Sequence, residues 1–130
     1  MEYTTNKMQN FSVGVDIENV ARFDKYAQDR EMAEKLGVFT SNELDYCFQK
    51  KLPAMHLCAR FCAKEAIYKA FSQINIAQTP NFSQIEIKND TKGAPFINLI
   101  DFPVNNIEIK ISLSHCKDKA IAYAMIVENV

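Results

Sequence analysis

Glycine is scarce, with three residues in a chain of 130, at positions 14, 37 and 93. None belongs to the glycine-rich run by which a P-loop or dinucleotide-binding turn cradles phosphate on backbone N–H groups. No apolar run approaches the roughly 20 residues that cross a bilayer as a helix. The opening Met1-Glu2-Tyr3-Thr4-Thr5-Asn6 lacks the basic-then-apolar layout of a signal peptide. Cysteine is present as Cys47, Cys58, Cys62 and Cys116, but without CxxC or zinc-ribbon spacing. A net charge of −1 leaves no overall basic footprint, so neither nucleic acid nor an anionic membrane is an expected partner. Repeats and low-complexity tracts are also missing. Four unpaired thiols in a chain of this kind suit a reducing compartment, and the expected setting is the cytoplasm.

What is present fits one domain over residues 1–130, with residues 1–10 expected to form a loosely ordered extension. Apolar residues make up 48% and charged residues 24%, enough of the first to build a core and too little of the second for disorder. Phe11 to Val15 alternates and reads as a strand ending near Asp16. Residues 18–35 mix charged and apolar side chains at helical spacing, with Gly37 as the stop. Thr40-Ser41-Asn42-Glu43 has the form of a capping box. Pro53 suits the first turn of a long helix over about 54–72, apolar almost all round and so expected to be central and buried. Ile85–Lys88, Phe96–Leu99, Ile107–Ser114 and Ala120–Val127 read as strands, with a turn over Asn89–Gly93. The expected class is α+β, an antiparallel sheet packed against a long central helix.

Three clusters could carry chemistry. Asp16 stands where a strand hands over, a position that suits either a helix cap or a metal ligand. Glu65 lies on the apolar helix among Phe61, Cys62 and Tyr68, where a carboxylate needs a cation nearby. Lys69, four residues on, could supply it as an intrahelical pair. Arg60 and Lys64, also four apart, repel each other unless an anion lies across them, and His56 would extend that basic stripe. The third cluster, Ser112-Leu113-Ser114-His115, ends a strand and enters a polar loop, where reactive groups are often held.

In order and spacing these segments resemble the holo-acyl-carrier-protein synthase group of 4′-phosphopantetheinyl transferases. The matching stretches are Gly14-Val15-Asp16-Ile17 with Arg22-Phe23, Phe39-Thr40 through Glu43-Leu44, and Arg60-Phe61-Cys62-Ala63-Lys64-Glu65-Ala66 with Lys69. Lys92-Gly93-Ala94-Pro95 and Ser112-Leu113-Ser114-His115 complete the set, so that the resemblance spans roughly residues 11–127. Two departures stand out. Ser72-Gln73-Ile74-Asn75 replaces a Gly-Thr-Gly-like turn, and the segment after Asp16 mixes acids with bases where the group is often basic.

The resemblance implies transfer of phosphopantetheine from coenzyme A to a serine of apo acyl carrier protein, releasing 3′,5′-ADP, in support of fatty acid biosynthesis. It implies a Mg2+ ion held by Asp16 and Glu65, with Glu65 and Lys69 as catalytic groups. Arg60, Lys64, Lys92, Gly93, Pro95, Ser114 and His115 would bind coenzyme A, and Arg22 would face the carrier. A homotrimer with active sites at subunit interfaces is the implied assembly. A silent coenzyme A or carrier-binding module is the alternative, and a metal-dependent phosphohydrolase ranks below it for want of further His or Asp ligands.

Overall fold

Alternating side chains let a strand bury one face and expose the other, and four of the five strands of the computed structural model follow that period, the exception burying Ile85, Glu86 and Ile87 in succession. The structure describes residues 10–74, 78–104 and 106–129. β1 (Asn10–Asn19) leads through a 3-10 turn over Val20–Phe23 into two short helices, α1 (Asp24–Ala27) and α2 (Arg30–Lys35). α3 (Ser41–Phe48) and the long α4 (Pro53–Phe71) follow. The second half is β-rich, with β2 (Ile85–Asn89), β3 (Pro95–Leu99), β4 (Ile107–His115) and β5 (Lys119–Glu128). One antiparallel sheet runs β1-β5-β4 and a second pairs β2 with β3. The α+β architecture expected from the sequence is therefore present, with its strands divided between two sheets.

α4 packs across β1, β5 and β4, and small residues allow it to come close. Ala120, Ala122 and Ala124 of β5 are fully buried, as are Cys58, Cys62, Ala63 and Ala66 of α4. At Gly14 the approach is closest, since a Cβ there would lie 1.9 Å from the carbonyl oxygen of Ala66. Polar stitches reinforce the seam. Ser12 Oγ donates to the Ala70 carbonyl at 2.7 Å, and the Cys62 thiol to that of Ala120 at 3.5 Å. Cys47, Cys58 and Cys62 are free and buried, acting as small core residues, whereas Cys116 is free but exposed.

The segment 18–35 departs from the expected single helix. Ile17, Glu18 and Asn19 stay in the ladder opposite Ile121, Ala120 and Lys119, which carries β1 past Asp16. Asp29 then accepts from the N–H groups of Glu31 and Met32 and starts a new helix, so the helical period is cut in two. The capping box at Thr40 and Glu43 forms as the sequence predicts, and Pro53 occupies the first turn of α4. Of the extension expected over residues 1–10, all but Asn10 lies outside the described residues, as does Asn75 of the substituted turn at 72–75.

Candidate active site

Strand alternation turns Asp16 inward, toward α4, between the outward-facing Val15 and Ile17. It stands within the strand and caps no helix, so the capping role is set aside. From α4, Lys69 reaches across to β1, its Nζ 3.1 Å from Asp16 Oδ1 and 3.0 Å from the Val15 carbonyl oxygen. The intrahelical Glu65–Lys69 pair that spacing suggested is not formed. Glu65 has no hydrogen-bond partner among the described residues. Burial pushes its carboxyl above the ordinary value, the charge of Asp16 adds to that, and Lys69 and Arg22 oppose it.

Two carboxylates that raise each other's cost, with one lysine shared unequally, form a site short of positive charge. Such a donor set fits a hard divalent cation, and magnesium in particular binds through one or two carboxylates plus water and substrate phosphate. Among the described residues there is no cluster of three or more potential His, Cys, Asp or Glu ligands. A cation here would rest on Asp16 and Glu65 and complete its shell with oxygens from outside the protein. Arg22 lies at the rim, half exposed, paired with Glu18 at 2.6 Å and with its guanidinium 4.8 Å from the Phe61 ring centre.

The basic stripe expected on α4 is only partly realised. Each step of four residues turns a side chain by about 40° around the helix, so positions 56, 60 and 64 drift off one face. Lys64 is fully buried. Its Nζ lies 2.7 Å from Glu43 Oε1 and donates to the carbonyls of Phe82 and Ile85. Burial lowers its affinity for a proton while Glu43 opposes the loss. The assignment of Lys64 to coenzyme phosphates is corrected accordingly, because this lysine ties α4 to α3 and to the start of β2. Glu43 completes the tie by accepting from the N–H groups of Thr40 and Ile87, both at 2.9 Å.

Arg60 and His56 do converge, joined by residues that the motif reading missed. The Arg60 guanidinium lies 3.9 Å from the centre of the Tyr46 ring, and Lys50 Nζ lies 4.5 Å from it. Arg60 is 3% exposed; its Nη2 donates to Asn89 Oδ1 at 2.7 Å, and its buried Nε has no partner. Two adjoining cavities open here. The larger, about 510 Å³, is lined by Asn42, Tyr46, Lys50, Arg60 and residues of the β2–β3 turn. The smaller, about 190 Å³, adds His56, Pro95, Leu113 and His115.

The remaining assignments divide between the cavity walls and the outside. Gly93, at φ +86° in a turn pinned by Asp90, and Pro95 both form wall, whereas Lys92 lines neither cavity. Along β4, Leu113 and His115 face the smaller cavity, and Ser114 faces the opposite side of the sheet. Ser114 thus lies outside this cavity. His115 has a neighbour in His56, the ring centres 5.5 Å apart, a pairing that their separation in sequence conceals.

The carboxylates and lysine of the β1–α4 seam and the cations of the Arg60 cleft are held on one α+β frame. The chain belongs to the 4′-phosphopantetheinyl transferase superfamily, whose family model matches residues 12–124. Within that family it is similar to the holo-[acyl-carrier-protein] synthase of Ruminiclostridium cellulolyticum, 39% identical over 123 residues that cover 88% of this chain and 90% of the relative. The corresponding protein of Protochlamydia amoebophila is 36% identical over 116 residues, covering 87% and 94%. Among solved structures, the ACPS–CoA complex of Chronobacterium ammoniagenes superposes with a TM-score of 0.76 at 26% identity, covering 93% of this chain and 99% of that one. The Helicobacter pylori holo-[acyl-carrier-protein] synthase in complex with coenzyme A gives 0.69 at 29%, covering 88% and 98%.

Proposed function

We propose that the protein is a holo-acyl-carrier-protein synthase, transferring 4′-phosphopantetheine from coenzyme A to a serine of apo acyl carrier protein and releasing 3′,5′-ADP. The observation that carries this reading is the meeting of Asp16, Glu65 and Lys69 across the β1–α4 seam in a chain of this family. Magnesium is the fitting cofactor, held by Asp16 and Glu65; when bound it would offset the negative charge of the coenzyme pyrophosphate.

The chain's own groups then divide the work. Lys69, free to swing from Asp16 because half its side chain is exposed, stabilises charge on the phosphoryl oxygens as the carrier serine attacks. Glu65 is the side chain placed to accept the serine proton, directly or through a bound water. Arg60, His115 and the Gly93–Pro95 wall bind coenzyme A phosphates and shape their cleft. Arg22 at the rim meets the acidic carrier, exchanging its Glu18 partner for a carrier carboxylate.

The proposed assembly is a homotrimer with active sites at subunit interfaces. An apolar band on the outer face of the three-stranded sheet supports it, with Phe11, Val15, Ile17, Ile121 and Tyr123 all at least 40% exposed. A cytoplasmic setting accords with four free thiols. The direct test incubates the protein with coenzyme A, magnesium and an apo carrier and records the carrier's intact mass. Gain of one phosphopantetheine, abolished by chelation, is expected. No gain with several competent carriers would sink the transferase reading in favour of a silent binding module.

A further inference from the structure

The imidazole of His56, in the first turn of α4, forms one wall of the smaller cavity and has no hydrogen-bond partner among the described residues. Its ring stands edge-on to two others, that of Tyr46 on α3 at 5.9 Å and that of His115 on β4 at 5.5 Å. Arg60 lines the same cavity, almost wholly buried, with its Nε unpartnered. Lys50, just past the end of α3, places its Nζ 4.5 Å from the centre of the Tyr46 ring and lines the adjoining larger cavity. The groups that face His56 are thus Tyr46 and Lys50 from α3 and its following turn, Arg60 from its own helix, and His115 from β4. Asp90 lines the adjoining cavity, but one of its oxygens is engaged by the N–H groups of Lys92 and Ala94.

His56, His115, Lys50 and an unsatisfied guanidinium nitrogen of Arg60 around two adjoining cavities are costly in the free protein. An arriving dianion attracts each of those groups and so offsets their mutual repulsion. Burial holds the His56 imidazole below its ordinary proton affinity, and His115, Lys50 and Arg60 lower it further. A phosphate lying among them favours the imidazolium and so opposes all three contributions. We propose that His56 is a further phosphate-binding residue of the coenzyme A site, neutral in the free protein and taking up a proton from solvent as the phosphate docks. This rests on the transferase reading only in the identity of the ligand, since the cleft and its charges are independent of any reaction. The consequence is that occupancy of the cleft is coupled to pH in the range where histidine titrates.

Binding of 3′,5′-ADP to the full chain, without magnesium or carrier, tests the inference by calorimetry in buffers of different ionisation enthalpy. The phosphate monoester itself titrates near about pH 6, so the readout is the difference between wild type and His56→Gln. Wild type is expected to take up a fraction of a proton more than H56Q per ligand bound. Its affinity advantage over H56Q is expected to grow several-fold from about pH 8 to about pH 6. In parallel, the His56 ring signals of the wild type, followed by NMR, are expected to move toward the imidazolium position on adding 3′,5′-ADP, which needs no variant to fold. Ligand binding with equal proton uptake in both proteins and an unmoved His56 ring would overturn the role of His56 and leave the coenzyme site standing. Failure of 3′,5′-ADP to bind wild type at any pH across that range would overturn both.

Discussion

Lys69 turns away from Glu65, its neighbour one helical turn back, and places its ammonium 3.1 Å from Asp16 on the facing strand. The choice has an electrostatic consequence. The lysine offsets the charge of one carboxylate by direct contact and acts on the other only through space, so the seam keeps an uncompensated acid on its helical side. The proposed binding of a cation and a polyphosphate would be served by such a bias, because the helix-borne carboxylate is left to the incoming charge.

Glu65 is therefore expected to cost stability until charge is supplied. Its folded-state proton affinity is raised, so the native state binds more protons than the unfolded chain just above the ordinary carboxylate range. Stability from this group is present below the ordinary value and is lost as pH rises through the raised one. Glu65→Gln should accordingly raise Tm by a few degrees in metal-free buffer at neutral pH, with the gap closing as the buffer is acidified. Magnesium should then raise Tm of the wild type and leave the variant unmoved, while carrier modification is lost. A variant less stable than wild type at every pH would refute the account.

Lys64 and Arg60 stand four residues apart and should fail in different ways. Lys64→Ala strands the buried Glu43 carboxylate and two carbonyls, a change of about 3–5 kcal/mol, read as a lowered denaturant midpoint. Arg60→Ala should spare more of the fold and raise the KM for coenzyme A by at least tenfold, the usual scale for a charged hydrogen bond to phosphate being about 1.5–3 kcal/mol. Equal effects of the two substitutions on KM, with both proteins folded, would restore Lys64 to the substrate site.

These two residues also mark how far the sequence could be read. The alternation of Ile107–Ser114 and the Thr40–Glu43 capping box are local signals, and both elements form where their residues say. The helical period over 18–35 was equally visible, yet the ladder opposite β5 held Glu18 and Asn19 in the strand, a tertiary effect that no window of sequence carries. Asp16, Glu65 and Lys69 stood out in the sequence, and the structure brings them to one seam. Partner choice was not legible. Whether Lys69 meets Glu65 or Asp16, and whether Lys64 faces a ligand or Glu43, depends on what α4 packs against. Tyr46, Lys50 and His56 escaped notice as a group because a cation-π cluster has no linear pattern.

Gly14→Ala should separate the strand from the helix at the point where the site is built. The added methyl would lie 1.9 Å from the Ala66 carbonyl oxygen, a backbone atom that cannot swing aside. Overpacking of this kind costs roughly 1–3 kcal/mol or more, and the relief available is to slide β1 outward, which carries Asp16 away from Glu65. Loss of magnesium-induced stabilisation is expected alongside a lower urea midpoint. A variant with normal stability and metal response would show that the seam is looser than the structure has it.

Tyr123→Asp should dissolve the proposed trimer. Tyr123 lies opposite Val15 in the β1–β5 ladder and Ser112 in the β4–β5 ladder, at the centre of the outer face, and it is 45% exposed in the single chain. In a monomer, exchanging an exposed tyrosine for aspartate there changes stability within about 0.5 kcal/mol, the range of ordinary surface substitutions. Across a subunit seam the same carboxylate would be buried among Val15, Ile17 and Ile121 without a partner, a cost of several kcal/mol per subunit. Sedimentation should give three chains for the wild type and one for the variant. Transfer activity should fall with the mass, because each site is proposed to draw on two subunits. A variant that stays trimeric would move the seam elsewhere on the surface, and a monomeric wild type with full activity would remove the shared-site proposal altogether.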